Sequence, residues 1–436
     1  MQFIPNILFA IALILGIGFF AKNVKKLIRN IKLGQDVDVS DNKSQRWKNM
    51  TMIALGQSKM VKRPIAGVLH VIVYVGFVII NIEVLEIIID GLFGTHRLFS
   101  KMGTLYGVLI GTFEVLAALV FVSVVIFWVR RNVIKLQRFW KSEMKGWPKN
   151  DGNFILYFEM VLMTLFLVMN ATDVHFQDMN SGNVISQYIA PLFNGLPEST
   201  LHIIERSAWW LHILGILVFL NYLYYSKHLH ILLAFPNTFY GKVNPKGQLN
   251  NLEAVTNEVK MMMDPNADPF AAPEEGAEDE VPAKFGASDV QDLNWVQLLN
   301  AYTCTECGRC TSECPANQTG KKLSPRKIMM DTRDRLEEVG KNIDANGGEF
   351  KDDGKQLLGD YISTEELWAC TTCNACTEAC PVSIDPLSII IEMRRYLVME
   401  QSAAPMELNN MMTNIENNGA PWPYNQMDRL NWANEE

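Results

Sequence analysis

A cysteine pattern that occurs twice constrains this chain most strongly. Both copies read C-x2-C-x2-C-x3-C-P, and together they hold all eight cysteines of the protein. This spacing ligates [4Fe–4S] clusters, because three cysteines three apart on a tight turn reach three corners of one cluster. The fourth cysteine, just before proline, then points to the other cluster. The sequence therefore predicts two [4Fe–4S] clusters and one-electron chemistry.

The crossed arrangement divides the cysteines into two sets. A pair of all-cysteine zinc sites is the alternative, since zinc also uses C-x2-C pairs. The third cysteine at fixed spacing, the trailing proline and the duplication argue against zinc. Thiolates imply a reducing compartment, so we expect this part of the chain in the cytoplasm. The first set is Cys304, Cys307, Cys310 and Cys380, and the second set is Cys370, Cys373, Cys376 and Cys314.

The residues between and after the motifs predict helices. The motifs are separated by 56 positions, counted from Cys314 to Cys370. Pro325 after Ser324 is typical of a helix start, because proline suits the first helical position. A second helix is expected from about Ser363, and a third over 385–399 with apolar residues at helical spacing. The pattern predicts a helical domain around the clusters.

The composition changes near residue 240. Residues 1–240 hold 22 Lys and Arg against 14 Asp and Glu, whereas residues 241–436 hold 17 against 33. The first part has five apolar runs, and crossing a hydrocarbon core of about 30 Å takes about 20 helical residues. Buried helices of a soluble core are the alternative, but soluble domains rarely hold five such runs. The predicted spans are Ile4–Ala21, Ile65–Ile89, Leu105–Val129, Phe154–Ala171 and Ala208–Leu233.

Basic residues between the spans predict the orientation. Residues 22–63 contain eleven Lys and Arg, and residues 130–149 contain seven. The other two loops hold only Arg97 with Lys101, and Arg206. Cytoplasmic loops carry the excess of basic residues, so we expect the N-terminus outside and the C-terminus inside. The first span lacks a small-residue cleavage site and is expected to be retained.

Histidines in the predicted spans indicate haem. His70 lies near the cytoplasmic start of the second span, at the depth expected for His230 in the fifth. Two histidines at matched depth on two helices can hold a b-type haem. An interfacial or hydrogen-bonded histidine is the alternative for either residue, although ionisable groups inside spans are usually functional.

A second haem near the outer face is an open question. His212 is 18 residues before His230, so one continuous helix would place both on the same face. No histidine occupies the matching depth of the second span, and His175 or His96 are the remaining partners. Glu114 in the third span is either a proton-handling group or a carboxylate bonded to a neighbouring helix.

Two stretches of the membrane part resemble a known cytochrome. Residues 65–89 and 208–235 resemble the membrane cytochrome b subunit of respiratory nitrate reductase and of heterodisulfide reductase. The matching strings are GVLH ending at His70, LH ending at His212, and KHLH ending at His230. Histidines of the second and fifth spans are haem ligands in that family. The resemblance therefore implies haem b at these three positions.

The cysteine part resembles another subunit. Residues 293–400 resemble the dicluster subunit of heterodisulfide reductase, an α-helical ferredoxin, through CTECGRC from Cys304, LSPR from Leu323 and WACTTC from Trp368. The catalytic subunit of that family carries Cys-Cys-Gly motifs, and this chain has none. The resemblance implies a fusion of cytochrome and dicluster subunits whose catalytic site lies on a partner.

These observations predict an all-α chain of four parts. Residues 1–240 are expected to form a five-helix transmembrane, haem-binding bundle, and residues 241–290 an irregular acidic linker. Residues 291–402 are expected to form a cytoplasmic α-helical ferredoxin domain with two clusters. The tail, 403–436, carries aromatic residues among Asn and Pro, and either docks a partner or folds onto its own domain.

The predicted function is electron transfer in a bacterial or archaeal cytoplasmic (inner) membrane. Electrons would pass between the quinone pool, haem b, the two clusters and a cytoplasmic partner, which is a Cys-Cys-Gly-type subunit or a flavoprotein dehydrogenase. A non-catalytic iron–sulfur anchor or sensor is the alternative of another class. No nucleic-acid partner is expected, and no dinucleotide fingerprint, P-loop or hydrolytic triad stands out.

Overall fold

The computed structural model describes residues 3–245, 247–265 and 284–434. In these ranges strand pairing is limited to two isolated bridges, Gln35–Asn294 and Leu358–Ile362, and the predicted all-α fold is confirmed. The helices of the first part are α1 (Ile4–Ile31), α2 (Lys43–Asn49), α3 (Pro64–Phe93), α4 (Thr104–Asn132), α5 (Trp147–Thr172), α6 (Val174–Asp178), α7 (Ser186–Ile189), α8 (Glu198–Tyr222), α9 (His230–Tyr240) and α10 (Glu253–Met263).

Five of these helices form a closed bundle. By length and composition α1, α3, α4, α5 and α8 can each cross a membrane, as the apolar runs predict. Each helix packs against the next, and α8 returns to pack against α1. The start of α1 lies at the same end as the end of α3, where Asn6 Nδ2 donates to the carbonyl oxygen of Gly91 at 2.8 Å. We call this end of the bundle the far end.

The fifth predicted span is not one continuous helix. α8 ends at Tyr222, and Ser226 has an extended backbone with ψ of 146° before a new helix starts at His230. Asp151 of α5 stabilises the break, because it accepts hydrogen bonds from the Tyr222 hydroxyl and the Lys227 amide. The prediction that His212 and His230 share one helix face is therefore wrong.

The second part is built from short helices whose starts have local signals. Ser324 caps α14 by accepting from the Lys327 amide, and Pro325 is the first helical residue, as predicted. Ser363 caps the next helix, with Glu366 completing a capping box. The helices are α11 (Trp295–Thr303), α12 (Arg309–Glu313), α13 (Pro315–Gln318), α14 (Pro325–Ala345), α15 (Thr364–Trp368), α16 (Ala375–Ala379), α17 (Pro386–Met399) and α18 (Met406–Asn418).

The second part docks onto the end of the bundle opposite the far end. A shared apolar core joins Leu27 and Leu229 of the first part to Leu298 and Leu336 of the second. Backbone pairing between Gln35 and the residues next to α11 extends this contact. The basic loops 32–63 and 133–146 lie at this end, so the cysteine motifs and the basic loops occupy the same side of the bundle.

The predicted linker and tail contain helices where they are described. α10 lies inside the stretch 241–290 that the sequence predicts as irregular, and residues 246 and 266–283 of that stretch lie outside the described residues. In the tail, α18 is followed by exposed aromatic side chains. The boundaries of the four parts stay a prediction. The exposed aromatic residues are Trp422, Tyr424 and Trp432.

Candidate electron-transfer site

The two cysteine motifs adopt the same backbone turn. In the first motif the residues flanking the second cysteine, Glu306 and Gly308, have φ of 54° and 70°. In the second motif the equivalent residues, Thr372 and Asn374, have φ of 55° and 60°. Such values are uncommon for residues other than glycine. Their recurrence at matched positions indicates that both loops are held to one backbone shape.

The fourth cysteine of each motif lies against the other motif. α12 and α16, the short helices inside the motifs, pack together. Burial raises the pKa of the Cys310 thiol well above its usual value, and the neighbouring thiols of Cys307 and Cys380 add to the effect. Cys314 is likewise an electrostatic neighbour of Cys370. Thiols that lie this close together suit a cationic metal core, which binds them deprotonated. This arrangement supports the crossed sets.

The two sets differ in how close they come to solvent. Cys304, Cys314 and Cys380 are buried, whereas Cys373 is exposed. In the first predicted set, Cys307 lines a cavity that is shared with residues of the bundle. The second set reaches the surface through the loop around Cys373, so a soluble partner can approach it.

His70 and His230 are neighbours even though the helix of His230 is not the predicted one. Their ring centroids are 6.3 Å apart, with planes tilted by 42°. Nδ1 of His230 lies 3.2 Å from the carbonyl oxygen of Lys227. When Nδ1 donates that bond, Nε2 keeps its lone pair for a metal. Nδ1 of His70 is buried and, among the described residues, has no hydrogen-bond partner. Both rings have nitrogen atoms available to a ligand.

One cavity touches both the histidines and the first cysteine set. It has a volume of about 360 Å³ and is lined by His70, His230, Cys307 and Pro381, the residue after Cys380. Cofactor cavities commonly have about 300–1,000 Å³. The remaining wall is largely apolar. The cavity therefore offers a site for a largely apolar cofactor in direct contact with the first cysteine motif.

Positive charge lines the same cavity. Arg138 and Arg309 both reach it, and burial lowers the pKa of Arg138 to about 10. Arg309 is held in place because its guanidinium donates to the carbonyl oxygens of Lys59 and Met60, each at 3.2 Å. Two guanidinium groups beside an apolar cavity suit a cofactor that carries carboxylate groups.

A buried ion-pair network fixes the cavity to the first motif. Glu306 is bonded to Lys227 and, at 2.9 Å, to Arg333. Lys227 also donates to the carbonyl oxygen of Pro148 at 2.6 Å. Burial alone would raise the pKa of Glu306, but the two cations hold it below the usual value. Glu306 therefore stays ionised and connects the cysteine loop to the segment that carries His230.

His228 also lines the cavity, whereas His212, His96 and His175 do not. Nδ1 of His212 lies 3.0 Å from the carbonyl oxygen of Leu162, and the His212 ring contacts Phe166. His96 and His175, the alternative partners, instead face each other with ring centroids 6.3 Å apart. The structure brings no second histidine ring against His212 in the described ranges.

Glu114 has a structural role. One of its carboxylate oxygens accepts from Asn170 at 3.0 Å, and the other accepts from the amides of Ile185 and Ser186 at 2.7 and 3.0 Å. These bonds connect α4 to α5 and to α7. Of the two interpretations left open by the sequence, the geometry favours the carboxylate bonded to its neighbours.

Sequence reasoning missed the charged residues around the cavity. Glu306 and Arg309 occupy positions between the cysteines of the first motif, and Lys227 is the first residue of the KHLH string. Their closeness in sequence to the predicted cysteine and histidine ligands was the signal that could have identified them. Arg138 had none, because it is one of seven basic residues in a loop whose charge indicates only orientation.

Comparison with known proteins supports the iron–sulfur part. The family model described as a 4Fe-4S dicluster domain matches residues 303–384. The chain is 29% identical to the probable iron-sulfur-binding oxidoreductase FadF of Bacillus subtilis over 98% of this chain and 61% of that protein. It is 24% identical to the EtfAB:quinone oxidoreductase of Syntrophomonas wolfei, over 92% of this chain and 55% of that protein. No solved structure matches it.

One relative, named as a heterodisulfide reductase subunit, matches only a short part of this chain. This relative is one subunit of the ferredoxin/F(420)H(2)-dependent CoB-CoM heterodisulfide reductase of Methanosarcina acetivorans, and it is 36% identical over 24% of this chain and 52% of its own length. The chain is similar to iron–sulfur electron-transfer proteins of redox complexes. It spans 61% and 55% of the lengths of its FadF and EtfAB:quinone oxidoreductase relatives, so their whole activities are not carried over. The resemblance of the membrane part to nitrate reductase cytochrome b stays a prediction.

Proposed function

We propose that the chain is a membrane-bound electron-transfer subunit that relays electrons between the quinone pool and a cytoplasmic redox partner. The carriers would be haem b and two [4Fe–4S] clusters. The observation that carries the proposal is the single cavity that contacts His70 and His230 on one side and Cys307 on the other. A redox cofactor in that cavity would lie beside the first cluster.

The residues around the cavity fit haem b. His70 and His230 would hold the iron, and the guanidinium groups of Arg138 and Arg309 supply the positive charge that a cofactor with carboxylate groups requires. Haem b supplies a one-electron carrier when bound. His212 is the proposed ligand of a second haem, since its Nδ1 bond to Leu162 leaves Nε2 for coordination.

The cysteine sets would hold one cluster each. Cys304, Cys307, Cys310 and Cys380 form the cavity-side set. Cys370, Cys373, Cys376 and Cys314 form the set at the surface. Because one set lies beside the cavity and the other reaches the surface, the two clusters could relay electrons from the cavity to a docked partner. The cytoplasmic location of this part, the outside N-terminus and the four domain boundaries belong to the same proposal, as does docking through the tail 403–436.

Two kinds of partner remain candidates for the cytoplasmic end. A Cys-Cys-Gly-type subunit would make a complex like heterodisulfide reductase, and the dicluster likeness supports it. A flavoprotein partner would make the subunit part of a flavin-linked dehydrogenase. The relative named EtfAB:quinone oxidoreductase covers 92% of the chain, which supports a quinone on the membrane side for either partner.

The first test is a reduced-minus-oxidised visible spectrum of the detergent-purified chain, with haem and iron counted per chain. We expect a b-type α-band and about eight non-haem irons, as two cubane clusters require. Two haems per chain would support His212 as a ligand. Eight irons without haem would refute the cytochrome proposal and leave an iron–sulfur anchor or sensor.

Variants assign the haem to its cavity. His70→Ala and His230→Ala should each remove one haem per chain while the non-haem iron count stays at about eight. His228→Gln is the matched control, because His228 lines the same cavity but its Nε2 lies 3.7 Å from Glu159. The control should keep the haem. Equal haem content in His230→Ala and the wild type would contradict the ligand assignment.

A further inference from the structure

The far end of the bundle holds a second cavity that the electron-transfer proposal does not use. Its volume is about 590 Å³, and it lies where α1, α5 and α8 meet the loop after α3. Four carboxylates line it against one guanidinium, that of Arg206. The excess of carboxylates and the imidazole nitrogen atoms in the cavity wall are suited to a cation. The four carboxylates are Asp90, Asp173, Glu198 and Glu205.

Three side chains converge in this cavity with the spacing of metal ligands. One donor atom each of His96, Asp173 and Glu205 lies within 4.8 Å of the others. Nε2 of His96 is 3.1 Å from Oδ2 of Asp173. Nδ1 of His202 adds a further donor, 3.9 Å from Oε2 of Glu205. Two ligands bound at about 2.1 Å in tetrahedral geometry are about 3.4 Å apart, so small movements would enclose an ion.

Both carboxylates are fixed in position before any ion binds. Asp173 and Glu205 are only 5% and 4% exposed. Arg97 donates to Oδ2 of Asp173 at 2.7 Å, and Arg206 binds both oxygens of Glu205. A carboxylate has about four lone-pair sites, so each group retains acceptor capacity towards the cavity. The arginines thus orient the carboxylates without using all their lone pairs.

We propose that His96, Asp173 and Glu205 bind a divalent cation at the far end of the bundle, with His202 as the nearest fourth donor. A set of imidazole and carboxylate ligands suits Zn²⁺. The ligands come from the loop after α3, the junction of α5 and α6, and the first turns of α8. The ion would cross-link these three segments on the side of the bundle away from the clusters.

Zinc binding to the full-length protein in detergent tests the site. The protein, with its clusters in place, is first treated with a mild chelator and is then titrated with Zn²⁺ in a calorimeter. The iron content per chain is measured before and after the titration. We expect one Zn²⁺ per chain and no loss of iron. His96→Gln and Glu205→Gln should each weaken binding at least tenfold. Glu198→Gln, in the same cavity and helix but outside the ligand set, should stay within about twofold of the wild type.

Two results would overturn the site. The first is no saturable zinc binding by the wild type, which would make the cluster a hydrogen-bonded ion-pair group only. The second is unchanged affinity in His96→Gln. The His96 side chain is 43% exposed, so this variant should fold even if Glu205→Gln does not.

Discussion

Glu306→Gln should destabilise the cysteine domain, because it removes the buried carboxylate that bridges Lys227 and Arg333. Each cation keeps one further carboxylate partner, Asp151 at 3.8 Å from Lys227 and Asp334 at 3.0 Å from Arg333. Glu306 is 3% exposed and bonded to both Lys227 and Arg333. Removing one partner of a buried pair costs about 3–5 kcal/mol. Glutamine keeps one acceptor oxygen, so we expect the lower end, about 3 kcal/mol.

Loss of cluster absorbance in urea, under anaerobic conditions and at a fixed incubation time, measures the effect. With a denaturant slope of about 1–3 kcal/mol per molar, the midpoint should fall by about 1–3 M. Both variants must first show the wild-type iron content. Glu365→Gln is the control, since its pair with Lys322 is exposed and worth about 0–1 kcal/mol. A midpoint for Glu306→Gln equal to that of the control would refute the buried-network reasoning.

Three further changes probe the site. Cys314→Ala should remove the same cluster signal as Cys373→Ala, and not that of Cys304→Ala, in electron paramagnetic resonance of the reduced protein; the reverse would contradict crossed ligation. Gly308→Ala should lower the urea midpoint, because alanine at φ of 70° adds about 1–2 kcal/mol of backbone strain. The added Cβ would also lie only 2.6 Å from Nη1 of Arg326. Glu114→Gln should speed amide hydrogen exchange in the far-end loop that it binds while electron transfer to the clusters stays unchanged; slower electron transfer would favour a proton-handling role.

Local signals predicted the second part well. Ser324 with Pro325, and Ser363 with Glu366, start helices because the cap and the first turn are adjacent in sequence. The cysteine spacing likewise depends only on residues within one short loop. Each of these features depends on a few neighbouring residues, so it can be read without knowledge of the fold.

The break after α8 was not predicted, because part of what stabilises it comes from a residue that is distant in the sequence. The residues around Ser226, YYSKHLH, interrupt the apolar run without proline or glycine, and the apolar residues on either side favour one span to Leu233. Ser226 was a local signal for a new helix start, since its hydroxyl accepts from the His228 amide. Asp151 on another helix supplies the acceptor that stabilises the break. The His70 and His230 rings still meet, because the break keeps His230 at the end of the bundle where α3 begins.

Acidic residues of the second part pair with basic residues of the bundle's own loops. The excess of acidic residues after residue 240 favours a basic surface, and the bundle's own basic loops provide one. Lys62 pairs with Glu378 at 2.7 Å and Arg63 with Glu313 at 2.8 Å, across the contact between the two parts. The basic loops predict the cytoplasmic side, and the thiols independently predict a reducing compartment. Because the structure places both at one end of the bundle, the two inferences require the same orientation.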